Sequence, residues 1–514
     1  MKWLNKLRKV LSSRLVIWGI VMLLQIGWFI SLFLYIHNHF RYAGTCLEIV
    51  AFIIVLTIVN AQTNPSYKVA WSILILGAPV LGIAMYFLFG RSDITKRKRK
   101  KLDKMHTKSV RHLPSDSDII QEISTRSRGA AKQAGYISKW SHFPISRNQG
   151  LTYYCTGDDT LKPILDAISK AEHYIFLEFF IIREGVFFNT ILDALEQKVK
   201  EGVEVRLMYD DFGSANTVPH HYDRYIESFG IRCVRFNPLK PLFSAVMNNR
   251  DHRKMLIIDG KIAFTGGFNL ADEYINQRKR FGHWKDNGLR IEGRPVANFV
   301  AMFLEMWQYQ TGMPEDETPY FPEYSMNEPE VLPGYVQPFA DSPLDHEKVG
   351  ETVYLNIINR AKDYIYIFTP YLIVDNEMMT ALCNAAKSGV DVRIVTPGIP
   401  DKRLVFLLTQ SYYSQLLRAG VKIYQYGPGF IHAKTFVCDD VIATVGTINL
   451  DYRSLYMHFE CGVWMYGTWE VGQIKQDALE TFRISKEITY AREAGRSWII
   501  RTLQGILRLF APLL

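Results

Sequence analysis

Two constellations of the same residue types recur 180 residues apart: His252, Lys254 and Asp259 at H-x-K-x4-D spacing, then His432, Lys434 and Asp439. Gly266 and Gly446 keep one offset from their histidines, and Asn269 and Asn449 keep another. These types suit attack on a phosphodiester, an anion that repels nucleophiles unless positive charge and hydrogen-bond donors surround its oxygens. Two lysines and two asparagines can form that clamp. Imidazoles with an unperturbed pKa of about 6.5 can divide the remaining work: one attacks phosphorus while the other protonates the departing alkoxide, and the roles exchange in the second half-reaction.

That division asks two identical groups to hold opposite protonation states. A carboxylate behind each ring would fix its tautomer and support the imidazolium. Asp259 and Asp439 belong to the motif and are taken with the histidines and lysines as the catalytic set, although each lies seven residues along, at a strand end. Asp286 and Glu460 stand in matched places before or within apolar segments, DNGLRIEG and ECGVWMYG, and are preferred as the imidazole partners. Asp210, Asp211 and Glu178, near strand ends in the first half, are further candidates for substrate contact. A lone H-x-K in a strand is more often a satisfied core histidine than a catalyst. Two copies sharing H, K, D, G, N and Leu at fixed offsets make catalysis the expected reading.

The double H-x-K-x4-D with a trailing G-x-x-N resembles the signature of the phospholipase D superfamily. Within it, NNRDHRKMLIIDGKIAFTGGFNLADEY and GFIHAKTFVCDDVIATVGTINLDYRSLYMHFE are similar to segments of bacterial cardiolipin synthases. The resemblance covers nearly the whole chain. It implies a phosphohistidine intermediate formed without metal or cofactor, His252 as the attacking group, and phosphatidyl transfer between two phosphatidylglycerol molecules to give cardiolipin and glycerol. A hydrolase of phospholipids, or less readily of nucleic acid, is the competing reading, because the motifs do not reveal whether alcohol or water resolves the intermediate. Membrane anchoring favours the alcohol. Intact motifs in both halves argue against an idle scaffold.

The elements that must position these residues repeat as well. LKPILDAISKAEHYIFLEFFII followed by GVEVRLMYDD matches VYLNIINRAKDYIYIFTPYLIV followed by GVDVRIVTP. Buried strands alternating with helices predict an α/β fold: two tandem α-β-α domains related by a pseudo-twofold axis, with mostly parallel sheets and a site at the carboxyl ends of their strands. Each motif reads as strand, turn and second strand. Domain one is expected over 146–320 and domain two over 321–497, with their boundary in the proline-rich acidic stretch 311–343.

Ahead of them lies an apolar region, 1–92, predicted to hold transmembrane helices near 14–36, 46–61 and 69–90. A basic and polar linker, 93–145, follows. Its KRKRKK run, Lys96 to Lys101, marks the cytoplasmic side and attracts anionic headgroups, so the catalytic region is expected inside. The basic amino terminus (Lys2, Lys6, Arg8, Lys9, Arg14) opposes three full spans, so either one segment is re-entrant or the stronger cluster dominates. A net charge of +9 suits an anionic partner, and its place beside apolar runs selects an anionic membrane over nucleic acid. The six cysteines form no C-x-x-C pair and read as buried thiols rather than a zinc site. The last segment, 498–514, is an amphipathic helix that either packs on the domain or lies in the membrane interface.

Overall fold

The computed structural model describes residues 41–90, 96–114, 117–239, 249–322, 332–345 and 347–513, with isolated residues between 16 and 35. Seven strands of the first half are β1 (Leu151–Tyr154), β2 (Tyr174–Phe179), β3 (Glu204–Asp210), β4 (Arg232–Phe236), β5 (Lys254–Ile258), β6 (Ile262–Gly266) and β7 (Gly288–Glu292). The second half supplies β8 (Leu332–Asp341), β9 (Tyr364–Phe368), β10 (Asp391–Pro397), β11 (Lys422–Tyr426), β12 (Thr435–Cys438), β13 (Ile442–Gly446) and β14 (His458–Tyr466). The first sheet is ordered β1-β7-β6-β5-β2-β3-β4, and the second repeats it as β8-β14-β13-β12-β9-β10-β11. The duplication read from the motifs extends to all seven strands of this order, and the second sheet adds Ser146–Asn148 beside β8 and Ser485–Ile488 beside β11.

These sheets are mixed, not mostly parallel. Along these two orders the parallel pairs are β2-β3-β4 and β9-β10-β11, while each motif strand is antiparallel to both of its neighbours. The cause is local: β5 and β6 are joined through Asp259 and Gly260, both with positive φ (50° and 63°), and β12 and β13 through Asp439 and Asp440 (50° and 61°). Two such residues make the tight turn whose twist matches a hairpin, and hairpin strands are antiparallel. Continuous apolar runs report burial on both faces, which helices provide here whatever the strand direction.

Alternate residues of each strand face two layers. Ile175 and Leu177 point outward to helix Val186–Lys200. Phe176 of the same strand points inward to helix Val296–Thr311, whose residues 296–308 are all buried. That inner cluster also takes Val437, Ala443 and Val463 from the second sheet, so both halves share one core. Each large apolar side chain buried there contributes about 1.5–3 kcal/mol relative to exposure. The halves therefore hold a fixed relation.

The expected domain borders are interlocked. Ser146–Asn148, placed by sequence in the first domain, pairs with β8 of the second sheet. The region expected as linker, 93–145, is largely helical: Lys96–Ser109, Ser117–Arg126 and Arg128–Trp140. Ala130, Ala134 and Ile137 join the core of the second half, and Arg99 and Lys101 of the basic run donate to the carbonyls of Leu344 and Tyr309 at 2.8 Å. Part of that charge serves to dock a helix.

The amino-terminal apolar segments form two antiparallel helices, Arg41–Asn60 and Pro65–Gly77, closed by Ala51, Val55, Ile58, Trp71 and Ile75. About half of the first predicted span, 14–36, falls outside the described residues, and the described ones are helical. Among the described residues no helix is long and apolar enough to cross a membrane. The carboxyl-terminal helix, Trp498–Phe510, turns its polar side inward: Gln504 is buried and donates to Leu407 O at 3.2 Å, and Arg508 lies over Tyr412. Trp498 and Ile499 are 72% and 62% exposed, so its apolar side faces away from the protein.

Candidate active site

Each motif histidine is held by the other half of the molecule. The His252 backbone N–H donates to Phe459 O of β14 at 2.9 Å, and that of His432 donates to Lys285 O at 2.7 Å. Short parallel pairings flank both points, Arg250–Asp251 with the start of β14 and Gly429–Ile431 with His283–Lys285. The side chains repeat this exchange. His252 Nδ1 lies 2.9 Å from both oxygens of Glu460, and His432 Nδ1 lies 2.8 Å from Asp286 Oδ2. The carboxylates preferred from sequence are present, but each supports the imidazole of the opposite half.

Small residues permit the approach. A Cβ on Gly267 would come within 2.0 Å of Asp286 Oδ1, so only glycine fits behind that carboxylate. Thr447 Oγ1 donates to Glu460 Oε2 at 2.5 Å and fixes the other one. Lys254 Nζ donates to His252 O at 2.6 Å, and Lys434 Nζ sits 2.8 and 3.0 Å from Nδ1 and Nε2 of His432. Phe180 lies against the His252 ring, and Tyr274 and Trp284 against the His432 ring, which shields both imidazoles from water.

Burial governs the electrostatics. His252 is held well below its ordinary pKa by loss of solvent and then by Lys254 and Lys434, while His432 is lowered to about 4 by burial and then by Lys434, against the pull of Asp286. Lys254 is lowered to about 8 and Lys434 to about 7, burial again the leading cause. For Asp286, burial pushes upward, but His432 and Lys434 outweigh it and hold the carboxyl below its usual range. Each lysine acts on the histidine of the other motif, so the two motifs occupy one electrostatic site. The site sets imidazoles that resist protonation beside lysines that lose their charge easily. A phosphodiester anion placed among them favours their protonated forms.

Asp259 and Asp439 do not join the site. Asp259 accepts from the backbone N–H groups of Glu172, His173 and Tyr174 at 2.8 Å, and Asp439 accepts from Lys362, Asp363 and Tyr364 at 2.8 to 3.0 Å. With their positive φ they close a hairpin and anchor the start of β2 or β9. That is a structural task, so their expected place in the catalytic set is corrected. Asn269 Oδ1 accepts from the Ile181 N–H at 3.0 Å and its Nδ2 donates to Tyr274 Oη at 2.8 Å. Asn449 is buried, and its Oδ1 has no hydrogen-bond partner among the described residues.

The further carboxylates make their contacts within the first half. Asp210 caps the N–H groups of Phe212 and Gly213 at 2.9 Å and that of Asp251 at 3.1 Å, and Asp211 accepts from Leu239 N at 2.8 Å. Glu178 is fully buried with Arg253 3.8 Å away. Sequence reasoning overlooked His458, two residues before Glu460 on β14 and hence on the same face. Its Nδ1 stands 3.6 Å from Glu460 Oε1, and its ring centre 5.4 Å from that of His252.

The family model described as cardiolipin synthase, phospholipase D-like domain, matches residues 164–307 and 354–483, and one described as phospholipase D-nuclease N-terminal matches residues 49–91. An uncharacterised protein of Streptococcus mutans is 45% identical over 462 residues, covering 90% of this chain and 99% of that protein. Cardiolipin synthase 1 of Bacillus cereus is 34% identical over 513 residues, 96% of this chain and 99% of its own. Cardiolipin synthase of Alkalihalophilus pseudofirmus is 35% identical over 457 residues, 88% and 90% respectively. Phosphatidylserine synthase of Haemophilus influenzae shares the fold, with a TM-score of 0.57 at 14% identity over 74% of this chain and 100% of that one.

Proposed function

The chain belongs to the phospholipase D-like cardiolipin synthase family, and on that premise we propose that it joins two phosphatidylglycerol molecules into cardiolipin and releases glycerol. The observation that carries this reading is the crossed pair of carboxylate-backed imidazoles. His252 attacks phosphorus through Nε2, the bond to the headgroup glycerol oxygen breaks, and protonated His432 supplies that oxygen with a hydrogen ion. Neutral His432 then takes the proton from a headgroup hydroxyl of the second phosphatidylglycerol as its oxygen attacks phosphorus and the P–N bond breaks. His252 is taken as the nucleophile on the family resemblance, and the hold of Glu460 on its Nδ1 leaves Nε2 as the attacking nitrogen. The lysines neutralise the equatorial oxygens, and metal ions take no part in the steps.

We further propose that the enzyme is a multi-pass protein of the cell membrane with its catalytic halves on the cytoplasmic side. Ile49, Phe52, Ile53 and Leu56 of the first described helix, Val69, Ile73 and Leu76 of the second, and Trp498, Ile499, Leu503 and Ile506 of the last are exposed apolar side chains. The last helix packs on the second. Together they make a lipid-facing side whose carboxyl-terminal part lies in the interface. Purified protein given headgroup-labelled and acyl-labelled phosphatidylglycerol should yield cardiolipin and free glycerol. Phosphatidic acid as the main lipid product would establish the hydrolase instead.

A further inference from the structure

We propose that His252, Glu460 and His458 form an inhibitory site for a borderline transition-metal ion such as zinc. All three are buried, and one donor atom from each lies within 4.8 Å of the others. Two of the three separations are already short: His252 Nδ1 is 2.9 Å from Glu460 Oε1, and His458 Nδ1 is 3.6 Å from it. Tetrahedral zinc with nitrogen and oxygen donors at about 2.0–2.1 Å needs donors about 3.3 Å apart, so ring movements of about 1 Å complete the set. His458 Nδ1 makes no hydrogen bond among the described residues, and the mechanism gives this side chain no task.

A cavity of about 390 Å³ beside the end of the amino-terminal helical hairpin is lined by Asn64, Asn249, Tyr452, Tyr456 and His458, which puts one of the three donors at its wall. Two imidazoles and a carboxylate leave a fourth position for water, and this donor set favours zinc or copper over magnesium or calcium.

The consequence for chemistry follows from counting one proton. A neutral imidazole that gives its Nδ1 lone pair to a metal carries its proton on Nε2. The ion would replace the proton between His252 and Glu460, the proton would move to the other nitrogen, and the atom assigned to attack phosphorus would have no lone pair. This inhibition rests on the nucleophile assignment above, whereas binding of the metal does not.

The test uses detergent-solubilised full-length protein freed of metal. Cobalt(II) absorption and competition with a chromogenic zinc chelator should report one ion per chain. That binding should persist in His432→Asn, fall at least about tenfold in His458→Gln and vanish in His252→Asn. Zinc should inhibit cardiolipin formation reversibly by EDTA, magnesium should not, and the inhibitory concentration should rise at least about tenfold in His458→Gln. Circular dichroism confirms that the variants fold, and a cavity-lining change remote from the donors, Asn249→Leu, should leave equilibrium affinity unchanged. Zinc binding equal in wild type and His458→Gln, or absent from wild type, would overturn the site. Binding as expected without inhibition would overturn the Nε2 mechanism alone.

Discussion

The crossed carboxylates allow a sharp prediction for Glu460→Gln. The side chain is fully buried, both oxygens lie 2.9 Å from His252 Nδ1, and Thr447 already donates to one of them. Glutamine fills the same space but offers one acceptor and no charge, so it can hold the ring without supporting an imidazolium. A hydrogen bond to a charged group contributes about 1.5–3 kcal/mol. At about 1.36 kcal/mol per tenfold, that becomes a loss of roughly 10- to 150-fold in kcat. If the amide presents its NH2 group and forces the wrong tautomer, the loss extends toward about 10⁴-fold. Cardiolipin formation from labelled phosphatidylglycerol in mixed micelles measures kcat, and circular dichroism verifies the fold. Asp286→Asn, which acts on His432, should lose activity over the same range. The pair also predicts coupling: measured by thermal unfolding, Glu460→Gln should be non-additive with His252→Asn and additive with His432→Asn. Activity within threefold of wild type in Glu460→Gln, or coupling to His432 instead, would refute the crossed support.

Substituting either His252 or His432 with asparagine should abolish net turnover and leave membrane association unchanged; full activity in one variant, read in the same assay, would defeat a shared site. Lys434 and Lys254, lowered to about 7 and 8, carry their charge below those values and lose it as pH rises through them. The kcat/KM profile should therefore decline on the alkaline side between about pH 7 and 8, whereas a decline only near the ordinary lysine value of about 10.4 would contradict the assignment. Asp259→Ala removes the acceptor of three backbone N–H groups and should destabilise the fold by about 2–4 kcal/mol while sparing kcat per folded molecule, as followed by thermal unfolding and active-site titration. Changing Trp498 and Ile499 together to serine should raise protease accessibility of the carboxyl-terminal helix in reconstituted anionic vesicles without altering the melting temperature, because both point away from the protein.

Much of the site was legible in the sequence because its residues recur in a pattern with strand periodicity. His252 and Lys254, or His432 and Lys434, two apart, must share a face, and the matched positions of Asp286 and Glu460 marked them as partners. The exchange of those partners was not legible, since it arises from the docking of two sheets around helix Val296–Thr311, a contact between residues far apart in the chain. Asp259 and Asp439 misled because the offset that keeps them in the motif also places them at the hairpin turn, where their oxygens meet backbone donors. The parallel bias came from reading apolar runs as direction. The amphipathic character of residues 498–510 was visible, but not that its polar side, with Gln504 and Arg508, would be the one turned to the protein. His458 carried a usable signal, its two-residue spacing from Glu460, which becomes informative once that carboxylate is known to face an imidazole.

The central claim is a phosphatidyl group bonded to one of two imidazoles that serve one phosphorus. Wild-type enzyme mixed with acyl-labelled phosphatidylglycerol, quenched at alkaline pH within a turnover and digested for mass spectrometry, should carry a phosphatidyl adduct on the peptide containing His252. The adduct should build up when Glu460 is intact and His432 is replaced by a residue that cannot activate the acceptor, provided an activated leaving group removes the need for its acid. Label on a serine, lysine or no residue at all, under conditions where cardiolipin forms, would contradict the account.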